Sequence, residues 1–416
     1  MVSETQYPRL SEATLHESLS DSPAVLIHGP RQCGKTTLAK AISATSGHAY
    51  FTLDDEAVRN AALSDPVGFV ASLPERVVLE EVQHVPHLFS SLKVAIDRNR
   101  VAGRFLLTGS ANILLLPKLA ESLAGRMAIH RLHPLSECEL ERSDGSFLDK
   151  LFEGSFRMQS WPRLGDALIL RIVRGGYPAA VKLPEGRRRS RWYRDYADAV
   201  IQRDVRHLKE IATVDVLERL LLTAASQTAR LVNFTDLAAP FQQSRPTIRS
   251  YVDLLARLFL LEELPPWHVN RMSRLIKTSK LHMGDTGLTS ALLGLNAAAL
   301  QSDRNLLGQL LETFVVQELR RQASWSKVDA HFYHFRDRDN YEVDVVLEGN
   351  GREIVGVETK ASATITAADF RGLRKLKAMA GKRFACGVVL YDGEMSLRFD
   401  ESLFAIPVRA LWEAPG

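Results

Sequence analysis

Eight residues near the amino terminus, Gly29-Pro30-Arg31-Gln32-Cys33-Gly34-Lys35-Thr36, keep two glycines, a lysine and a hydroxyl at the spacing of a loop that wraps a triphosphate. Such a loop turns its backbone N–H groups inward around a β-phosphate, and the helix that follows adds the positive end of its dipole. Lys35 would reach the β- and γ-phosphate oxygens, and the Thr36 hydroxyl would ligate Mg2+. The expected ATP contacts are Gly29, Pro30, Arg31, Gln32, Cys33, Gly34, Lys35, Thr36 and Thr37.

Hydrolysis needs a second half-site, and an acidic pair after the apolar run Val77–Leu79 supplies it. Glu80 is expected to hold Mg2+ through water and Glu81 to polarise the attacking water. Asp is the usual residue at the first position. The added methylene moves the carboxylate by about 1.5 Å, which a bridging water can absorb. Another apolar run, Phe105–Leu107, leads to Thr108, Ser110 and Asn112, of which Ser110 is the chosen γ-phosphate sensor. Arg126 is a candidate arginine finger, acting in cis or on a neighbouring subunit; the second case would require a homo-oligomer.

A second constellation lies near the carboxyl terminus. Asp344, then Glu358 and Lys360 one strand later, fit the loose pattern of PD-(D/E)XK nucleases. Strand alternation puts Glu358 and Lys360 on one face. Asp344 and Glu358 would hold one or two Mg2+ ions while Lys360 activates water. Glu312, on the preceding helix, adds a third metal-binding carboxylate, with Glu318 as its fallback.

Between the two constellations the chain is basic. Residues 141–300 carry 24 Lys/Arg against 17 Asp/Glu, a net +7, whereas the flanks are −2 and −1. Arg187, Arg188, Arg189 and Arg191 run into Trp192 and Tyr193, a pattern of arginines and aromatics that can grip phosphates and stack on bases; on a helix Trp192 and Tyr196 would share one face, which suits a core. Downstream, 233–238 and 244–255 read as a helix, turn and helix, with Ser244 as cap and Pro246 in the first turn. Arg245 and Arg249 would face outward toward nucleic acid, most simply DNA.

The elements that must position these residues alternate. Apolar runs at 24–28, 50–53, 76–79 and 104–108 with helical patterns between them predict a parallel α/β sheet over residues 1–140. Residues 141–300 read as longer helical stretches without strand-like runs, and 146–186 is the least legible part. From residue 330 the β pattern returns at 330–335, 342–348 and 354–358, followed by a basic helix near 367–380 and a strand at 384–390.

Composition is that of a globular protein, 45% hydrophobic and 25% charged. Its three cysteines, far apart, spell no disulfide framework or zinc knuckle. No apolar run approaches the roughly 20 residues that span a bilayer, and the amino terminus lacks a signal-peptide pattern. A reduced, cytoplasmic protein with no membrane partner is expected.

Residues 20–140 resemble the AAA-type P-loop ATPases of a bacterial and archaeal family that joins this core to a further carboxyl-terminal half. The matching stretches are 29–37, 53–55, 78–83, 103–110, 122–126 and 134–136, continuing through 175–178 and 280–288, so that nearly the whole chain is covered. That family normally has Asp-Glu where this chain has Glu80-Glu81, a departure that bears on hydrolysis rate more than on binding. The resemblance implies a winged-helix domain at 141–300 and a PD-(D/E)XK, restriction-endonuclease-like α/β domain at 301–416. Two functions follow. One is an ATP-dependent nucleic-acid enzyme that cleaves its polymer; the other is a nucleotide-dependent switch whose carboxyl-terminal half binds a partner and cuts nothing.

Overall fold

The computed structural model describes residues 7–109, 123–206, 214–274 and 278–413. It divides into two compact units, one formed by Pro8–Leu135 with Arg257–Phe259, the other by Ser136–Ala256 and Leu260–Gly416 together with the segment that ends at Tyr7.

The first unit is built on five parallel strands: β1 (Ala24–His28), β2 (Ala49–Thr52), β3 (Val77–Glu80), β4 (Phe105–Gly109) and β5 (Met127–Arg131), in the order β2-β3-β4-β1-β5. The central strands β1, β3 and β4 are buried along their whole length because helices cover both faces. Leu26, Leu79 and Leu107 pack with Phe89, Leu92 and Ile96 of the helix Leu88–Arg98. Val25, Ile27, Val78 and Leu106 pack on the other face with Leu38 and Ile42 of the helix Lys35–Ser46. Since all five strands run the same way, the residues following β1, β3 and β4 gather at one edge of the sheet.

The second unit holds two sheets. Its strands are β6 (Gln159–Ser160), β7 (Arg230–Leu231), β8 (Leu261–Leu264), β9 (Lys280–Met283), β10 (His331–Arg336), β11 (Glu342–Glu348), β12 (Ile354–Lys360), β13 (Phe384–Tyr391), β14 (Met395–Asp400) and β15 (Leu403–Pro407). The smaller sheet is antiparallel, ordered β7-β9-β8, and is interleaved with the helices Val214–Ser226, Phe234–Ala238 and Arg245–Arg257. These short strands correct the expectation of a strand-free middle: β7 has two residues and β8 is Leu-Glu-Glu-Leu, too short or too charged to show a period.

The larger sheet is ordered β10-β11-β12-β13-β15-β14-β6. β10, β11 and β12 form an antiparallel meander, and β13 lies parallel to β12 after the crossover helix Arg371–Ala380. Leu373 and Leu376 of that helix sit on Val343, Val346, Ile354 and Val389. The helix Arg304–Ala323 packs against β12.

Candidate functional sites in the two units

The turn between β1 and the helix Lys35–Ser46 takes the form expected of it. Gly29, Gln32 and Gly34 all have positive φ (156°, 59° and 107°), so the chain coils on itself. A Cβ on Gly29 would stand 2.1 Å from the Leu132 carbonyl oxygen, and only glycine lets the loop lie that close to β5. The helix begins at Lys35 without a side-chain cap on Gly34, so its first N–H groups, which have no acceptor within the helix, face the loop. Thr36 and Thr37 are exposed at this end. Lys35 is buried and folds back, its Nζ donating to the carbonyls of Gly29 (3.0 Å) and Pro30 (2.8 Å). Arg9, a residue that the sequence pattern gave no reason to notice, braces the loop by donating to the carbonyls of Cys33 and His133, both at 2.7 Å.

Glu80 and Glu81 stand at the carboxyl end of β3, separated from β1 by β4 alone. Glu80 is buried, and its Oε2 accepts a hydrogen bond from the Tyr50 hydroxyl on β2. Burial first, then this bond, pushes the Tyr50 phenol above its ordinary pKa. Glu81 adopts a left-handed backbone (φ 56°, ψ 44°), rare for a residue with a side chain. Its N–H donates to Thr108 Oγ1 of β4 at 3.3 Å, and its carboxylate accepts from Gln83 Nε2. Thr108 thus joins the acidic pair to the neighbouring strand. Ser110, the preferred sensor, lies outside the described residues.

Arg126 is placed elsewhere. It precedes β5, whose Met127 pairs with Ala24 at the start of β1, while the phosphate loop follows His28 at the far end. Five strand residues at about 3.3 Å each leave roughly 16 Å between them, and Asp97 holds the guanidinium in a two-pronged pair at 2.6 and 3.0 Å. The register corrects the expectation of a finger acting in cis.

In the second unit, the nuclease-pattern residues do come together, around a residue that the pattern did not include. Asp344 on β11 accepts from the Thr359 N–H (2.9 Å) and hydroxyl (2.8 Å) through Oδ2. Its Oδ1 faces the ammonium of Lys280 on β9 at 3.3 Å. The same ammonium lies 2.8 Å from Glu312 Oε1 and 2.6 Å from Glu342 Oε1. Burial alone would strip Lys280 of its charge, but Asp344, Glu312 and Glu342 together outweigh it and raise its pKa. Glu312 itself is driven upward, first by burial and then by Asp344. Glu358 and Lys360 share a face of β12 and pair at 3.4 Å, with Asp369 4.0 Å from the lysine. Burial, then Asp344, raises Glu358 well above the ordinary carboxylate range.

The expected metal set of Glu312, Asp344 and Glu358 is therefore corrected. Among the described residues no three His, Cys, Asp or Glu side chains are grouped as metal ligands, and the Lys280 ammonium stands between Glu312 and Asp344. The fallback, Glu318, is engaged instead with Arg321 (2.6 Å) and the Glu137 N–H (3.0 Å).

The basic residues divide into exposed and engaged. Arg187, Arg188 and Arg191 are exposed on the helix Arg187–Arg206, while Arg189 is half-buried and donates to the Leu183 carbonyl at 2.7 Å. Trp192 stacks on Tyr196 at 5.3 Å and both meet Tyr177, so the aromatics form a core and not a platform for bases. Ser244 caps the helix Arg245–Arg257 by accepting from the Thr247 N–H (3.2 Å), and Arg245 is exposed in its first turn. Arg249 pairs with Asp253 (3.1 Å) and Glu263 (3.2 Å).

The two later stretches, 175–178 and 280–288, meet at Asp285. This fully buried carboxylate accepts from the N–H groups of Gly176 (2.8 Å), Gly287 (2.9 Å) and Leu288 (3.0 Å). A Cβ on Gly175 would fall 2.2 Å from it. These residues knit the second unit together.

The sheet order and the phosphate loop define the first unit as an AAA-type P-loop ATPase domain, and residues 21–141 match the family model described as an AAA domain. Residues 165–299 and 307–411 match two further models, each described as a domain of unknown function (DUF8612 and DUF4143). The chain is 27% identical over 399 residues to an uncharacterized protein of Mycobacterium tuberculosis, covering 96% of this chain and 83% of that protein, and equally to one of Mycobacterium bovis. An uncharacterized protein of Haemophilus influenzae is 24% identical over 253 residues, 59% of this chain and 57% of that one. Among solved structures, the Walker-type ATPase PABY2304 of Pyrococcus abyssi aligns with a TM-score of 0.40 at 16% identity, over 70% of this chain and 97% of its own. AMPPCP-bound DnaA of Aquifex aeolicus aligns with a TM-score of 0.27 at 14% identity, over 60% and 87%. Among the described residues no helix is long and apolar enough to cross a membrane.

Proposed function

We propose that the chain is an Mg2+-dependent ATPase that works as a nucleotide-driven switch on a nucleic-acid-binding carboxyl-terminal half. The observation that carries this reading is the common sheet edge shared by the uncapped loop–helix turn after β1 and the acidic pair at the end of β3, the latter tied through Thr108 to β4, the strand between them. The inward amides and Lys35 bind the β- and γ-phosphates, the lysine exchanging two carbonyl acceptors for anionic oxygens in stronger, charge-assisted bonds. Thr36 and Glu80 would hold Mg2+, which supplies charge neutralisation on the transferred phosphoryl group. Tyr50 fixes the longer Glu80 side chain, and Glu81 orients the attacking water.

Topology supports the rest. Helix, β7, two helices, β8 and β9, with the sheet ordered β7-β9-β8, supports a winged-helix reading, in which Arg245 would stand on the helix that enters a groove. The order helix, β10, β11, β12, helix and β13 supports the PD-(D/E)XK-like reading of this half. Arg187, Arg188, Arg191 and Arg245 supply exposed phosphate contacts.

The test is ATP turnover with and without duplex DNA. Lys35→Ala should abolish ATP binding, and Glu81→Gln should preserve binding while lowering kcat by about 100-fold. An unchanged turnover in Glu81→Gln would refute the assignment of the acidic pair, and a DNA affinity indifferent to salt would refute the nucleic-acid half.

A further inference from the structure

The carboxylate centre of the second unit has a built-in cation. Lys280 is 2% exposed, and its ammonium offers three N–H donors to the three carboxylates of Glu312, Glu342 and Asp344, all within 2.6–3.3 Å. Its backbone leaves little freedom to withdraw. β9 is the middle strand of its sheet, and Lys280 is in register with Leu231 on one side and Leu264 on the other. Nor does Asp344 keep a free oxygen for another cation, since Oδ2 takes both the N–H and the hydroxyl of Thr359.

A divalent ion bound by Glu312 and Asp344 would need carboxylate oxygens at about 2.0–2.1 Å for Mg2+. The point that satisfies both is already held by the ammonium, at 2.8 and 3.3 Å. Metal and ammonium would then be neighbouring cations in a buried space, where like charges repel strongly. Metal binding therefore requires Lys280 to leave, which strands a lysine inside the protein and removes one of the links between the two sheets, beside the backbone bonds of Pro265 and Trp267 with His334.

We propose that Lys280 is the resident cation of this centre, a tethered replacement for a divalent metal, and that the nuclease-like sheet consequently takes up no metal at Asp344. The inference rests on the nuclease-like reading only for the contrast it draws; the geometry of the four side chains stands without it. The function assigned to the centre changes accordingly, from activating water to fastening β9, and with it the three-stranded sheet, onto β11 and the helix Arg304–Ala323.

The experiment is an isothermal titration of the full chain with MnCl2, in the absence of nucleotide and nucleic acid, comparing wild type, Asp344→Asn, Lys280→Met and Lys280→Met/Asp344→Asn. Wild type and Asp344→Asn should give superimposable isotherms. Lys280→Met should gain one Mn2+ site that the double variant lacks. It should also melt about 10 °C lower than wild type, because two buried carboxylates and the half-buried Glu342 lose their partner, and millimolar Mn2+ should restore at least half of the loss. If Lys280→Met does not fold, Lys280→Met/Glu312→Gln, with one carboxylate neutralised, takes its place. A wild-type Mn2+ site that Asp344→Asn removes would overturn the proposal whatever the variants do. So would a folded Lys280→Met, or its Glu312→Gln stand-in, that binds no Mn2+. Because ATP and DNA are absent, neither result depends on whether the switch reading survives.

Discussion

The Tyr50 hydroxyl on β2 donates to the Glu80 carboxylate on β3, so the residue departing from the usual aspartate arrives with its own partner. The added methylene gives the carboxylate a rotatable bond, and the phenol removes that freedom. Tyr50→Phe should therefore lower kcat by about tenfold, the worth of one hydrogen bond to a charged group, and raise the Mg2+ concentration for half-maximal turnover while leaving ATP affinity within twofold. Steady-state hydrolysis over a Mg2+ titration checks this. An unchanged Mg2+ dependence would mean that the tyrosine serves packing only.

Acid should destabilise the first unit through two histidines. Burial, then Arg131, lowers His28 at the end of β1 to about 3, and burial, then Arg9, lowers His130 on β5 to about 4. Both stay neutral in the fold while the unfolded chain protonates them below pH 6.5. Their contribution is complete above that value and drains away as pH falls toward 4, by about 1.4 kcal/mol per pH unit for each histidine. Urea unfolding followed from pH 7.5 to 5 should show this slope, and a His28→Asn/His130→Asn variant should flatten it.

Asp285→Asn should cost about 3–5 kcal/mol of the second unit's stability. It weakens three backbone acceptor contacts and leaves Arg321, whose guanidinium lies 3.4 Å away, without one of its buried counter-charges. Chemical denaturation measures the loss, and ATP binding by the first unit provides an internal control.

Arg126→Ala should leave the ATPase rate of dilute protein within twofold, because the residue lies at the opposite sheet edge from the phosphate loop. A rate that fell steeply, and fell more at high protein concentration, would instead point to action on a neighbouring chain.

Arg245→Ala should reduce the slope of log affinity against log salt by about one unit for duplex DNA, whereas Arg249→Ala, already neutralised by Asp253 and Glu263, should change it less. Equal losses would contradict the exposed and engaged roles of the two arginines.

Much of the first unit was legible because its signals are local. The phosphate loop, the strand before it and the helix after it are contiguous, and β3 and β4 are plain apolar runs. In the second unit, β10 to β13 were also visible, since six to eight residues suffice to show a strand. What stayed hidden depends on contacts far apart in sequence. Nothing local marks Lys280 as the cation of Asp344, 64 positions on, or Tyr50 as the partner of Glu80, 30 positions on. Trp192 and Tyr196 could be read as a stacking surface or a core from spacing alone, and only Tyr177 beneath them decides it. Arg126 illustrates the converse: its sequence context was sound, but strand register put it at the wrong end of the sheet.

The two residues of β6 carry an implication for dissecting the protein. Gln159 and Ser160 cover the outer strand β14, the Trp161 N–H bonds the Glu394 carbonyl at 2.7 Å, and its indole bonds Ser396 at 2.8 Å. A fragment starting at residue 301 would bare that edge, inviting strand-to-strand aggregation, and would simultaneously orphan the carboxylates that Lys280 neutralises. The carboxyl-terminal sheet is thus a graft completed by residues far upstream, and a soluble expression fragment should begin no later than about residue 136, where the main continuous part of the compact unit begins.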